Sequence, residues 1–483
     1  MKRTAYLMLL LLTLGALAVH GYHPYAEDAE IYVPGIVKML HPAYYPFGQE
    51  FFETHARFTL YPNLISWTVR LTHLPLEWAL FLWYLATIYL LLLGCWKIAA
   101  KCFPTATGQW GAVAMVTALL TLPVAGTALY IFDEYLNPRS FSAFAVVLAI
   151  DAALEKRYWL MGIWLAVTAA IHPFMTVFGL GFLILLIGFE KVRGPKAAAG
   201  AMMFFPALIP RHVSAAFWRC LRDHRYYYLM RWTWYEWLGI IGALAILWSF
   251  ARIARKKRRP MLEHLAMAVF AFGAISFIAG LIVTIPKRFE ILTPYQPMRS
   301  YQLIYCLFAL ISGGMLGEFL LRNRAWRWIV IFAALCAGMC YAQLQLFPGN
   351  RHVEWPGAAP KGAWMEAFAW VRENTPTDAI FALDPDYMAA RGENWQGFRA
   401  AAERSRMADA KTDWSAAVLF PEFPMADHVE EQVNALAGWK NFGPADFERL
   451  KKTYGVTWVV VEHAIAGMNC PYRNSGVQIC KVN

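Results

Sequence analysis

Charge is scarce in this sequence. Asp, Glu, Lys and Arg make up 16% of 483 residues, against 59% hydrophobic residues and a mean hydropathy of +0.38. That balance excludes an ordinary soluble globular protein and points to the membrane class. Equally missing are a Walker loop, a Gly-x-Gly-x-x-Gly fingerprint, a Gly-x-Ser-x-Gly elbow, an internal repeat and any low-complexity tract. Their absence removes the commonest soluble nucleotide and hydrolase chemistries. The eight cysteines form no Cys-x-x-Cys pair and no Cys/His cluster at zinc spacing, which leaves no support for a zinc ribbon or a thioredoxin-type site; most read as apolar packing. Acid is the scarcer sign of charge, and the net charge is +11. The bases fall in clusters between apolar runs instead of one patch, so they report topology; the lipid bilayer, and not nucleic acid, is the expected partner.

What is present is a series of apolar runs long enough, with tilt and kinks, to cross ~30 Å of hydrocarbon, at about eleven places. They lie near Ala5–Val19, Leu76–Trp96, Trp110–Phe132, Phe141–Leu154, Tyr158–Ile171, Phe174–Phe189, Ala197–Pro210, Trp237–Phe250, Leu262–Ile285, Tyr301–Leu321 and Trp326–Leu346. Alternate connections carry Lys2/Arg3, Lys97/Lys101, Lys156/Arg157, Lys191/Arg193/Lys196, the run Arg252 to Arg259, and Arg322/Arg324/Arg327. By the positive-inside rule these are cytoplasmic, which places the N-terminus inside and the C-terminus outside. The first run also has the form of a signal peptide, ending in Ala16-Leu17-Ala18; cleavage there leaves the later orientation unchanged.

The expected division is a transmembrane part, residues 1–348, with outer loops 20–75, 133–140, 211–236 and 286–300, followed by a small α/β domain outside the cytoplasm, residues 349–483. In the latter, Trp364–Glu373 reads as a helix ended by Asn374-Thr375-Pro376, Ala379–Leu383 as a buried strand, Pro444–Tyr454 as a helix stopped by Gly455, and Val456–Val461 as a strand. This alternation predicts a doubly wound or three-layer arrangement. Cys470 and Cys480 lie in the part expected to be exported and are the candidate disulfide.

Four groups of polar residues gather at the outer ends of the runs. The first outer loop opens with Glu27, Asp28 and Glu30, three carboxylates within four residues. Such a cluster repels itself and suits a general base or a divalent-metal site; its bland reading is a solvated helix N-terminus. Asp133-Glu134 sits in a very short outer loop ending Asn137-Pro138-Arg139, held near the membrane surface. His172-Pro173 interrupts the apolar pattern between two runs; the histidine either satisfies a backbone carbonyl freed beside the proline or bonds a sugar or phosphate. Lys287, Arg288 and Arg299 lie in one outer loop, and Arg211, Arg219, Arg222, Arg225 and Arg231 in another, interleaved with Tyr226, Tyr227, Tyr228, Trp232, Trp234 and Tyr235. Outer bases run against the positive-inside trend; they suit a lipid-linked phosphate, or merely anionic headgroups.

This constellation resembles the GT-C superfamily of integral-membrane glycosyltransferases, in plan and in a few short motifs. The resemblance implies a mainly helical membrane domain and transfer of a sugar from a polyprenyl-phosphate or polyprenyl-pyrophosphate donor outside the cytoplasm, using an acid of the first outer loop. In one branch that acid stands four residues before a tyrosine, as Asp28 does before Tyr32. That branch has a second acid directly after the first; here Ala29 stands there, with Glu27 before and Glu30 after, so the base is open among Glu27, Asp28 and Glu30. Metal-dependent members add acids in the second outer loop, as Asp133-Glu134 does, and others use no metal; the cofactor is open between none and Mg2+ or Mn2+, with Asp28, Asp133 and Glu134 as candidate ligands. His172-Pro173, Tyr295-Gln296-Pro297-Met298-Arg299, Trp370-Val371-Arg372-Glu373-Asn374-Thr375-Pro376 and Arg404-Ser405 are similar to segments of bacterial GT-C-like membrane proteins, which implies a bacterial inner membrane. Asp133, Glu134, His172, Lys287, Arg288 and Arg299 are then the expected substrate-binding residues. The sugar acceptor, whether glycan, lipid or protein, stays open. A transporter or flippase for a lipid-linked or anionic substrate, a polysaccharide polymerase or ligase, and a non-enzymatic scaffold are the competing readings.

Overall fold

The computed structural model describes residues 2–191, 213–389, 395–420 and 424–482. Apolar helices dominate the first part. α1 runs Lys2–His20 from the basic N-terminus. Three shorter helices, α2 (Ala29–Leu40), α3 (Glu50–Arg57) and α4 (Tyr61–Thr72), then build what the sequence pattern presents as a loop. α5 follows over Leu76–Cys102. α6 runs Ala106–Ala118, α7 Pro138–Leu154, α8 Tyr158–Ile171 and α9 Pro173–Lys191.

After the undescribed stretch come α10 (Ala215–Asp223), α11 (Trp234–Lys256) and α12 (Pro260–Thr284). Tight 3-10 turns follow over Lys287–Tyr295 and Pro297–Ser300, then α13 (Tyr301–Leu316) and α14 (Ala325–Leu346).

Six helical segments among the described residues are long and apolar enough to cross a membrane: Arg3–His20, Leu76–Cys102, Trp234–Lys256, Pro260–Thr284, Lys287–Leu321 and Ala325–Leu346. Tyr158–Ile171 and Pro173–Phe189 are shorter apolar helices; at 1.5 Å per residue, a helix like α8 reaches only about 21 Å. The expected run Ala197–Pro210 lies outside the described residues. The expected span Trp110–Phe132 is corrected: α6 stops at Ala118, and Leu119–Asn137 is irregular. Pro123 supplies no backbone donor, and Ala125 and Ala128 have positive φ, so the helix cannot continue. Gly126 leaves room for the ring of Trp232, which lies where a Cβ would be.

The helical bundle has two chemically different ends. At one, Lys97 and Lys101 pair with Asp151, and Arg259 pairs with Glu318, whose carboxylate lies beside Gly108 at the start of α6. At the other end sit the first outer loop, the segment Leu119–Asn137 and the 3-10 turns.

The C-terminal part carries α15 (Ala363–Asn374), β1 (Ile380–Ala382), α16 (Phe398–Ala402), β2 (Ser405–Arg406), α17 (Thr412–Leu419), α18 (Met425–Ala435), α19 (Pro444–Tyr454), β3 (Trp458–Val461), β4 (Asn469–Arg473) and β5 (Gln478–Lys481). The sheet order is β2-β1-β3-β5-β4. β1 pairs in parallel with β2 and β3, while β5 is antiparallel to both β3 and β4, so the sheet is mixed. β3 is buried on both faces: Val460 and Ile479 join the large core, and Val459, Val461 and Phe447 a second one, which is why the strand reads as a continuous apolar run. Cys470 and Cys480 form a disulfide between the last two strands.

Candidate functional site

The site begins with a capped helix. Asn137 accepts a hydrogen bond from the Ser140 backbone at 3.1 Å and Pro138 takes the first turn of α7, a combination that starts helices efficiently. This fixes Arg139, one residue further on, with its side chain buried. Its Nη1 donates to Asp28 Oδ2 at 2.8 Å, and its Nε and Nη2 donate to Asp133 Oδ2 at 3.2 and 3.0 Å. Asn137 adds a bond to the same Asp133 oxygen at 2.6 Å, and Tyr135 Oη accepts from the Asp28 amide at 3.3 Å. One guanidinium thus joins the first acidic loop to the second.

Asp28 keeps 35% of its side chain exposed, whereas Asp133 keeps 5%. Burial pushes the Asp28 carboxyl upward, but Arg139, with smaller help from Arg299 and His55, outweighs this and holds it below the usual carboxylate range. It is an anion at neutral pH. Arg299 is brought here by the 3-10 turn Pro297–Ser300, which follows Gln296 in the left-handed region at φ 42°. Its charge acts on Asp28, His55 and His172, and its buried Nε finds no hydrogen-bond partner among the described residues. His55 Nδ1 and Gln296 Nε2 are likewise buried without one.

His172 receives the backbone N–H of Met175 on Nδ1 at 3.4 Å. It therefore serves a donor at the start of α9, where the bland sequence reading assigned it a carbonyl, and burial lowers its pKa to about 3. Its Nε2 is left carrying the proton.

The other expected residues are placed differently. Glu27, at φ 51°, pairs with Lys411 at 2.9 Å, and that ammonium lies 3.7 Å from the centre of the Trp395 ring. Glu30 does not line the site at all. It is fully buried, accepts from Arg406 Nε at 2.7 Å and from the Ala400 amide at 3.1 Å, and has Arg399 at 3.6 Å. Arg399 in turn binds Asp413 through two bonds of 2.8 and 2.9 Å, and Arg406 binds Asp409. This buried ion network joins the first outer loop to the C-terminal part. Gly397 is required beside it, since a Cβ there would strike the Glu30 side chain.

Glu134 is buried with Oε2 unpartnered among the described residues, and burial followed by the charge of Asp133 pushes its pKa up to about 8. Lys287 and Arg288 are exposed, with Arg288 laid over the ring of Phe289; no contact ties them to Asp28 among the described residues. The outer arginines expected to bind phosphate are already engaged: Arg219 with Glu430, Arg222 with Glu290, Arg225 with Glu236, and Arg231 with the Arg222 carbonyl. Arg211 lies outside the described residues.

As metal ligands, Asp28, Asp133 and Glu134 do not fit. No group of three or more His, Cys, Asp or Glu side chains among the described residues is arranged to hold an ion, and Arg139 stands between the two aspartates. Sequence reasoning missed Arg139 as the organising residue, along with His55 and Lys411. The readable signal for Arg139 was Asn-Pro-Arg following an acid pair; nothing local marks the other two.

A family model described as a domain of unknown function, DUF6798, matches residues 362–426, the stretch that contains Arg399, Arg406, Asp409 and Asp413. No curated protein sequence matches the chain. Among solved structures, the chain is similar to the oligosaccharyltransferase of Archaeoglobus fulgidus in its complex with Zn and sulfate, at 13% identity and a TM-score of 0.41 over 94% of this chain and 67% of that one. Its apo form gives 14% and 0.40 over 95% and 69%. The same organism's oligosaccharyltransferase AglB, in complex with an inhibitory peptide and a dolichol-phosphate, gives 13% and 0.44 over 95% and 69%.

Proposed function

We propose that the chain is a membrane glycosyltransferase of the hexosyl or pentosyl type, moving a sugar from a polyprenyl-phosphate or polyprenyl-pyrophosphate donor to an acceptor hydroxyl outside the cytoplasm. One observation carries this reading: a partly exposed, ionised Asp28 stands within the field of Arg299, a cation whose buried Nε has no hydrogen-bond partner among the described residues, at one end of the helical bundle. A base beside a cation prepared for an anion suits attack by a hydroxyl on a sugar whose leaving group is a phosphate.

In this mechanism Asp28 takes the proton of the acceptor hydroxyl while the hydroxyl oxygen bonds the anomeric carbon. The bond from that carbon to the phosphate oxygen breaks, and Arg299 receives the departing phosphate. Arg139 and Tyr135 hold Asp28 in place, and His172 offers Nε2–H to sugar or phosphate. Glu27 and Glu30 act at a distance, by docking the loop onto Lys411, Arg399 and Arg406. The proposed arrangement places residues 1–348 in a bacterial inner membrane and residues 349–483 as a domain on its outer side. The disulfide favours that side, since such bonds persist in oxidising compartments.

The test is Asp28→Asn in purified protein with a radiolabelled polyprenyl-phosphate sugar. A positioned base contributes about 10²–10⁴-fold, so the transfer rate should fall by that factor with folding and donor binding kept. Transfer at the wild-type rate would remove Asp28 from the chemistry.

A further inference from the structure

Two carboxylates from separate loops, converging at a membrane surface, form a donor set to which a divalent cation is commonly bound. Here the space between Asp28 and Asp133 is filled by the chain itself. All three polar nitrogens of Arg139 point at the pair, within 2.8 to 3.2 Å of one oxygen on each. Asn137 occupies a further direction on the Asp133 oxygen. A metal ligated at the roughly 2.0–2.1 Å distances typical of Mg2+ would have to expel the guanidinium first.

We propose that Arg139 is a resident cation, standing where a divalent ion would otherwise bridge Asp28 and Asp133, and that this site works without metal because its counter-charge is built into α7. The charge count agrees: Asp28 and Asp133 are offset by Arg139 and Arg299. A divalent ion added to that set would be an uncompensated excess in a poorly solvated place. Arg139 is accordingly a positioning residue, fixing the rotamer of Asp28 and favouring its ionised form. The inference stands on this geometry whether or not the chain transfers sugar.

The experiment uses the full-length protein in lipid nanodiscs, with Mn2+ as the probe and electron paramagnetic resonance counting free and bound ion, no donor being present. Wild type should show no saturable Mn2+ binding. Arg139→Ala and Arg139→Gln, which remove the charge, should each gain a saturable site that holds Mn2+ at least about tenfold tighter than any residual, non-saturating association seen with wild type, a difference worth about 1.4 kcal/mol. Arg139→Lys, which keeps the charge, should gain none, and Asp133→Asn added to either neutral variant should abolish the gain. A role limited to folding would not produce this pattern. Saturable Mn2+ binding by wild type that Asp133→Asn removes would overturn the proposal, as would folded Ala and Gln variants that acquire no site. Neither result bears on whether Asp28→Asn still transfers sugar.

Discussion

At the scale of single residues, the contrast among four neighbouring acids is set by what each one faces. Asp28 meets a guanidinium and stays charged; Glu30 is consumed by two arginines; Glu27 shares Lys411; Glu134 is buried with an empty oxygen. Glu134 gives the sharpest prediction. Its pKa is raised from 4.5 to about 8 by burial and by Asp133, so folding favours the protonated form. Its contribution to stability is complete below about 4.5 and is lost as pH rises through about 8. Glu134→Gln, neutral throughout, removes that dependence. Between about pH 5 and pH 8, wild type should lose on the order of 4 kcal/mol relative to the Gln variant. Thermal unfolding of both at the two pH values measures it, and a gap that stays constant would show that Glu134 titrates normally.

At the scale of elements, α6, which leads into the irregular segment Leu119–Asn137, packs closely on α13. A Cβ on Gly111 would lie 2.5 Å from the Gly313 carbonyl oxygen and 2.9 Å from the Gly317 Cα, so the two helices touch backbone to backbone, as small residues permit in membrane bundles. Gly313→Val should cost about 1–3 kcal/mol by overpacking and lower the thermal midpoint in detergent; an unchanged midpoint would mean the helices do not meet there. Helices were the legible part of the chain: α8 coincides with its apolar run, and α15, α19, β1 and β3 fall within two residues of the patterns that announced them. The break after Ala118 was harder to see because Leu119, Leu120 and Leu122 keep the hydropathy high while Pro123 and Gly126 end the helix. The acid cluster Glu27, Asp28 and Glu30 was legible, and only the four-residue spacing to Tyr32 set Asp28 apart from its neighbours. Its partner Arg139 lies 111 residues away, and that distance is set by the pairing of loops, to which local periodicity is blind.

At the scale of the whole molecule, the two ends of the bundle differ in charge pattern, Lys97, Lys101 and Arg259 at one and the acids Asp28 and Asp133 with Arg139 at the other, and the proposed topology puts the first end in the cytoplasm. α12, with 25 residues, spans about 37 Å between them. A cysteine placed at the exposed Lys256 should react with an impermeant thiol reagent only from the cytoplasmic side, and one at the exposed Lys287 only from the outside. Reaction of position 256 from the outside would invert the proposed topology. The buried network around Glu30 has a further consequence, in time instead of space. Glu30 and Arg406 are 376 residues apart, and at a synthesis rate of ~5–20 residues per second the second emerges roughly 20–75 s after the first. Throughout that interval the nascent chain holds an acid whose native neighbours do not yet exist. The first outer loop must wait half-finished, open to proteases and quality-control factors, until ribosomal elongation delivers Arg399 and Arg406 to close it.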